Sequence, residues 1–388
     1  MTGGIAPLTI AGGGIGGLAA ALALAERGLS ARVLERGEFA KEAGAGIQLG
    51  ANAVRRLQTL GLRDAIEAES VRPEALHIFD AHSGKRLQIL PFGPAYEARY
   101  GAPYLAVQRA DLANALFETC RSAGGIELQD HFTVGSVLER DGRVTLHGPW
   151  DEQTALLIGA DGLWSSVRNF VAPAARLAFT GHTAARTMLP TGNLPAPFDA
   201  PVVSLWLGRG AHLVTYPVAR GEALNVVFAS EGGPARQGWN TEADAREIET
   251  AAERWHESAR ALLSLAASWR RWSLYKLQGL RRWSSAHVAL LGDAAHPVLP
   301  YMAQGAALAI EDAVVLADAL SASRDDPAGA LSRYEAARRK RAARVMRQSA
   351  RLGRIYHLGP PFSAARNLAI SRQAPEKALA RFDWLYGA

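Results

Sequence analysis

Leu8-Thr-Ile-Ala-Gly-Gly-Gly-Ile-Gly-Gly-Leu-Ala-Ala, residues 8–20, is the stretch whose reading decides the fold. Leu8 to Ala11 is a short apolar run with the length of a buried strand. Gly12 to Gly17 is a tight turn, and the Ala/Leu-rich run behind it reaches Arg27 as a helix that Gly28 can end. Ala31-Arg-Val-Leu-Glu35 reads as a second strand, completing a βαβ unit. Within that unit Gly12, Gly14 and Gly17 fall at the spacing of a dinucleotide turn, supported by Ala21, Gly28 and Glu35. Each position has a physical task. Gly12 permits the turn, Gly14 lets a pyrophosphate approach the backbone, and Gly17 lets helix and strand pack closely. The helix that opens at Ile15 points free N–H groups and a positive dipole end at the phosphates. Glu35, ending the second strand beside Arg36, is placed to accept from ribose hydroxyls. By itself the turn leaves FAD and NAD(P) both open.

Outward from this unit the chain alternates in character. Asn52 to Leu60 is helical with Gly61 as its cap, and residues 75–107 break into short pieces that suggest a small antiparallel insertion. Ala110 to Ala123 is a helix, followed by strand-like pieces near 126–129, 132–138 and 143–147 with Asp141-Gly142 as a hairpin turn. Residues 155–160 form a buried strand. Pro201 to Leu207, Leu213 to Val218 and Leu224 to Ala229 read as one antiparallel sheet, and 241–268 as helix. Val288 to Leu291 is again a buried strand, Ala303 to Leu320 a long helix, and 328–356 a basic helical region. The expected architecture is α/β: a Rossmann-like dinucleotide domain, an interleaved antiparallel-sheet domain and C-terminal helices. The division expected is 1–75, 105–175 and 276–325 for the first, 76–104 and 176–275 for the second, and 326–388 for the last.

Composition narrows the class. The 388 residues are 48% hydrophobic and 21% charged, ordinary globular values. The apolar run Ile15 to Ala25 is far short of the roughly 20 residues of a membrane span, and Met1 to Ala6 lacks the basic cluster of a signal peptide. A lone cysteine, Cys120, forms no internal disulfide and suits a reducing cytoplasm as a buried helix residue. Much of the net charge of +6 sits between Arg333 and Arg354 at helical spacing, which reads as a solvated face and not a nucleic-acid surface. No spacing of metal ligands stands out.

Two further segments choose the cofactor. One is Gly159-Ala-Asp161-Gly162 with Ser165-Ser166-Val-Arg168; the other is Leu291-Gly292-Asp293-Ala-Ala-His296-Pro297 with Pro300 and Gln304-Gly305-Ala306. With the N-terminal glycines, these resemble the three signature motifs of the single-component FAD-dependent aromatic hydroxylases, which include salicylate hydroxylase, 3-hydroxybenzoate 6-hydroxylase and 6-hydroxynicotinate 3-monooxygenase. The resemblance covers essentially the whole chain. It implies non-covalent FAD, NADH or NADPH as transient co-substrate with NADH favoured, and dioxygen. Reduced flavin would form a C4a-hydroperoxide that hydroxylates a small phenolic or hydroxylated heteroaromatic acid. It further implies that Asp293 accepts from the ribityl chain, that Arg109 reaches the ribityl and phosphate region, and that Asp161 and Arg168 support the pyrophosphate and the nicotinamide nucleotide. The helix N–H groups at Gly305 and Ala306 would face the flavin pyrimidine edge and favour an anionic reduced ring. His296 reads as structural.

The substrate face is expected in Ala211-His212-Leu-Val-Thr-Tyr216-Pro217. Strand residues four apart share a face, so His212 and Tyr216 project together. The segment resembles the substrate strand of the hydroxybenzoate and hydroxynicotinate enzymes, which implies contact with ring substituents. Gln304 joins them as a catalytic candidate, with Tyr301 and Gln48 as substrate contacts; the resemblance implies a histidine where Gln48 stands in hydroxynicotinate enzymes. Arg186, in the stretch leading to that sheet, could meet a carboxylate or lie at the surface. The partners expected are a small aromatic substrate and dioxygen, with no nucleic acid or membrane, in a monomer or homodimer. A flavin oxidase or dehydrogenase on the same scaffold, or a flavin-binding protein without turnover, are the competing readings.

Overall fold

A computed structural model describes residues 8–41, 45–238 and 241–387; Gly44, at the head of the Gln48 segment, lies outside them. The N-terminal reading holds closely. Leu8–Ala11 is a buried strand and Ile15–Ala25 a helix buried on nearly every face. Ala31–Leu34 lies parallel to the first strand, in register Leu8 to Ala31. Two other buried strands, Leu157–Gly159 and Val288–Leu290, extend the same sheet in parallel on its other side, and Ile126–Gln129 closes the far edge. All three signature segments therefore leave the same end of one parallel sheet. Ligands bind at the carboxyl ends of such strands.

The second sheet has eight strands, larger than the three-strand reading. Long strands Arg176–Pro190 and Trp269–Gln278 join Val203–Gly208, Ala211–Val218 and Ala223–Glu231. The hairpin Ala75–Asp80 and Arg86–Pro91 adds to its end, with Ala75–Asp80 parallel to Val203–Gly208, the one parallel pairing in the sheet among the described residues. One face packs on helices Ala245–Ala251 and Glu257–Ser264 around Trp206, Trp269 and Phe228. The other faces the parallel-sheet domain. Pro94–Tyr100 is a helix inside the stretch read as strands, with Pro94 at its start and Gly101 in the left-handed conformation at its end.

The Gly305–Ser321 helix lies against the N-terminal helix, and Pro327–Tyr356 packs on it. Here the reading of a solvated basic face needs correction. Arg338 is buried, bridging Glu311 and Asp312, and Arg341 pairs with Glu311. Three further short helices, within 362–386, follow in the C-terminal region read as helical. Cys120 is buried on its helix, and burial pushes its thiol up to about 12. No helix among the described residues is long and apolar enough to cross a membrane.

Candidate active site

The glycine turn explains itself atom by atom. Gly12 has φ +108°, and a Cβ there would lie 2.4 Å from the Ala160 carbonyl oxygen. A Cβ on Gly17 would strike the Gly12 carbonyl oxygen at 1.9 Å. At Gly14 no described atom lies within 4 Å of such a position. Two glycines thus serve the packing of the chain on itself, while the third leaves open space at the start of the Ile15–Ala25 helix. Glu35 braces the turn: its Oε2 accepts from the Gly13 N–H at 2.7 Å and its Oε1 from that of Gly37 at 3.0 Å. Arg36 beside it is exposed.

The other two segments are tied to each other. Asp161 accepts from the Ser165 hydroxyl and from the Ser166 and Val167 amides, fixing the start of the Ser166–Val171 helix. Arg168 is buried, not a surface charge; it donates to the carbonyls of Leu163 at 2.6 Å and Ala294 at 3.1 Å. The guanidinium thus spans both loops. Asp293 accepts no hydrogen bond from a described residue, although burial pushes its carboxyl up against the pull of His296, Arg109 and Arg168. A half-buried carboxylate of this kind is an acceptor awaiting a donor, which the hydroxyls of a ribityl chain supply. Arg109 opens the Arg109–Ser122 helix nearby. His296 is enclosed, bonded through Nε2 to Asp312 at 2.5 Å and set against Trp283. Asp312 also holds Arg338 and the Gly292 amide, so His296 is part of a structural network.

Between the sheets lies a cavity of about 720 Å³, part of it open to solvent. His212 lines it from the Ala211–Val218 strand, Tyr301 and Ala303 from the loop before the Gly305 helix, and Gln48 from the opposite strand. His212 and Tyr216 do share a face, since Leu213 between them packs into the core on the sheet's other side. They occupy different places on it. His212 sits among Tyr301, Tyr356 and His357, whereas Tyr216 lies behind Gln48, its ring where a Gly46 side chain would be. Gln48 Oε1 accepts from the Tyr104 hydroxyl at 2.9 Å, making a polar rim of one amide and one phenol; Tyr216 bonds Gln48 from behind and is not part of the lining. Gln304 does not reach the cavity. Its Oε1 accepts from Asn52 Nδ2 at 3.0 Å, and it holds the loop at the head of the Gly305 helix. Arg186 faces inward, stacked over Trp272 at 5.4 Å, and is not part of the lining.

Sequence reading missed Tyr104, Tyr356 and His357, and it missed the far wall entirely. That wall is Leu379, Phe382, Leu385 and Tyr386, from the last helices. A run of aromatics at 382–386 was the one available signal.

Comparison with known proteins agrees with this geometry. The chain belongs to the FAD binding domain family, whose model matches residues 6–349. Over 385 residues it is 37% identical to a 3-hydroxybenzoate 6-hydroxylase of Polaromonas naphthalenivorans, covering 98% of this chain and 96% of that protein. It is 33% identical to the 6-hydroxynicotinate 3-monooxygenase of Bordetella bronchiseptica, over 88% of this chain and 90% of the relative. Among solved structures, Klebsiella pneumoniae HpxO complexed with FAD and uric acid superposes with a TM-score of 0.86 at 25% identity, covering 98% and 96% of the two chains. The chain is accordingly an FAD-dependent monooxygenase.

Proposed function

We propose that the protein hydroxylates a small aromatic ring that already carries a hydroxyl group, such as a phenolic or hydroxylated heteroaromatic acid, using dioxygen and NADH or NADPH. The observation that carries this reading is His212. It is a buried imidazole on the wall of an otherwise apolar and phenolic cavity, with no described residue bonded to its Nε2. Burial, with His357 and His182 nearby, holds it well below the ordinary histidine range, so it is neutral at Nε2 and takes a proton only in transit. A phenol that loses its proton to His212 becomes more nucleophilic at the ring carbons, as electrophilic hydroxylation requires. Such a base contributes about 10²–10⁴-fold.

FAD fits the open space at Gly14, the unsatisfied Asp293 and the helix start at Gly305 and Ala306; Arg109 and the Arg168 bridge support the same edge. When bound, it supplies the reduction and activation of dioxygen. The chain's own residues do the rest. Tyr301 and the Leu379–Tyr386 wall exclude water, while Gln48 with Tyr104 offers polar contacts to ring substituents and Tyr216 orients Gln48 from behind. No lysine or arginine occurs among the described lining residues, so a substrate carboxylate would be met by these hydroxyls and amides.

Ligand-stimulated NADH consumption with hydroxybenzoates and hydroxypyridines, with isotopic oxygen traced into product, tests the reading. An oxidase or dehydrogenase would leave the ring unlabelled. His212→Gln and Tyr216→Phe should keep the FAD spectrum yet release hydrogen peroxide in place of product, with hydroxylation down about 10²-fold for His212. Normal coupling in both variants would refute the assignment.

A further inference from the structure

His212 is not isolated. Its Nδ1 lies 2.8 Å from Nε2 of His357, the buried residue that ends the Pro327–Tyr356 helix. Nδ1 of His357 has no well-formed hydrogen bond among the described residues, and the nearest carboxylate oxygen is Oε1 of Glu231 at 3.4 Å. The Glu231 side chain is 57% exposed while that of His357 is 1% exposed. Cavity, imidazole, imidazole, carboxylate and solvent therefore follow one another in a line, although the two histidines are 145 residues apart.

We propose that His357 and Glu231 form a proton relay that connects the substrate cavity to solvent through His212. This rests on the hydroxylase reading above. The balance is simple. The substrate O–H bond breaks and an N–H bond forms at His212 Nε2; His212 gives its Nδ1 proton to His357 Nε2; His357 gives its Nδ1 proton to Glu231, which passes it to water. No electrons move, and each imidazole ends neutral with its tautomer exchanged. Rotation of the rings, or return of a proton by the same line, resets them. Without an exit, a proton left on His212 would face two other histidines in a buried site, a costly charge.

The surroundings agree with transit and not storage. His182 stacks on His357 and bonds the Tyr301 hydroxyl; Tyr356 packs on His212; Arg366, paired with Asp80, stands on the side of the next helix. Burial, with His182 and Arg366, lowers His357 to about 4, so neither histidine holds a proton for long at neutral pH. A relay needs groups that return protons quickly.

The test uses FAD-loaded enzyme with 3-hydroxybenzoate and 6-hydroxynicotinate as probes. Two signals are followed after rapid mixing: the ultraviolet change of ring ionisation, and proton release to a pH indicator dye. His357→Phe and the more conservative His357→Gln should bind the probes with unchanged affinity but release the proton on the order of tenfold more slowly, or worse. Added imidazole should restore the rate in His357→Gln, and Glu231→Gln should shift the pH profile of release with a smaller loss. A merely structural role for His357 predicts altered thermal stability with release and pH profile unchanged; that result overturns the relay. A divalent ion is the other rival, because ligand atoms of His182, Glu231 and His357 lie within 4.8 Å of one another. Loss of release on chelation, restored by zinc or cobalt, would also overturn it. If no probe ionises in wild type and none stimulates NADH use, the hydroxylase reading falls and the relay with it. Product formation with release insensitive to both sites sinks the relay alone.

Discussion

The cofactor edge and the far wall of the cavity are held by different means. At the cofactor edge the constraints are in the backbone: Gly17 against the Gly12 carbonyl, Glu35 on two amides, Asp161 on the first turn of its own helix. The far wall is held by arginine side chains reaching across the fold. Arg341 donates to the carbonyls of Trp384 and Leu385, Arg55 to that of Tyr386, and Arg99 pairs with Asp383. Backbone constraints leave no slack, so one edge has a single shape. Side-chain tethers can be exchanged for others of different length, so the opposite wall can change shape without disturbing the first.

The largest effect should come from the ionic cluster behind both regions. Arg338→Ala leaves Glu311 to pair with Arg341 alone and Asp312 with His296 alone, and breaking a buried pair in this way costs up to about 3–5 kcal/mol. Urea unfolding should show it. The pH dependence should show it too. Burial raises the Asp312 carboxyl, but His296 and Arg338 outweigh burial and hold it below the ordinary range. That contribution is present at neutral pH and lost as pH falls below the carboxylate range, near 4. A stability gap between wild type and variant that narrows as pH falls below about 4 is the expected outcome; a gap that does not change with pH would mean the cluster is not what holds the wall's supports.

Next come the two glycines, which separate folding from binding within one turn. Gly17→Ala forces a backbone shift and should cost about 3 kcal/mol or more even without cofactor, at the upper end of overpacking. A Cβ at Gly14 meets no described atom, so in Gly14→Ala apoprotein melting should hardly change, while FAD affinity drops about tenfold or more, some 1.4 kcal/mol. Equal loss of apo stability in both would erase the distinction.

Asp293→Asn gives the most discriminating effect. FAD binding should weaken by roughly 1.5–3 kcal/mol as a charge-assisted acceptor is lost. Yet the apoprotein should melt higher than wild type at pH 7, because a carboxyl raised by burial costs stability when ionised. The gain should fade as pH drops through the raised value, where wild type becomes protonated too. Calorimetry of apo and loaded protein checks both signs.

Legibility in the sequence follows the same division. The three signature segments, their strands and the helix after Gln304 were readable because each is a short-range device whose partners lie within a few residues. The His212–Tyr216 face was readable from strand periodicity alone. Gln304 misled: a polar residue in the flavin-side loop looks like a cavity group until Asn52, 252 residues away, is found to hold it. His357 was invisible for the converse reason, since nothing near it in sequence points to His212. Arg338 and Arg341 looked like a solvated stripe because their carboxylates lie on another helix, and periodicity reports a face but not what covers it.

The wall formed by Leu379, Phe382, Leu385 and Tyr386 is also made after every signature segment. Ala306, the last residue of the signature segments, is joined to the chain eighty residues before Tyr386. At 5–20 residues per second, that interval is about 4–16 s. A nascent chain can therefore take up its flavin while the substrate chamber still lacks a side, and a release factor that acted early would leave a yellow protein open to water. Ribosome-bound chains in which the Pro327–Tyr356 helix has cleared the ribosome should already quench flavin fluorescence, and only those in which Tyr386 has cleared it too should shield the bound ring from iodide.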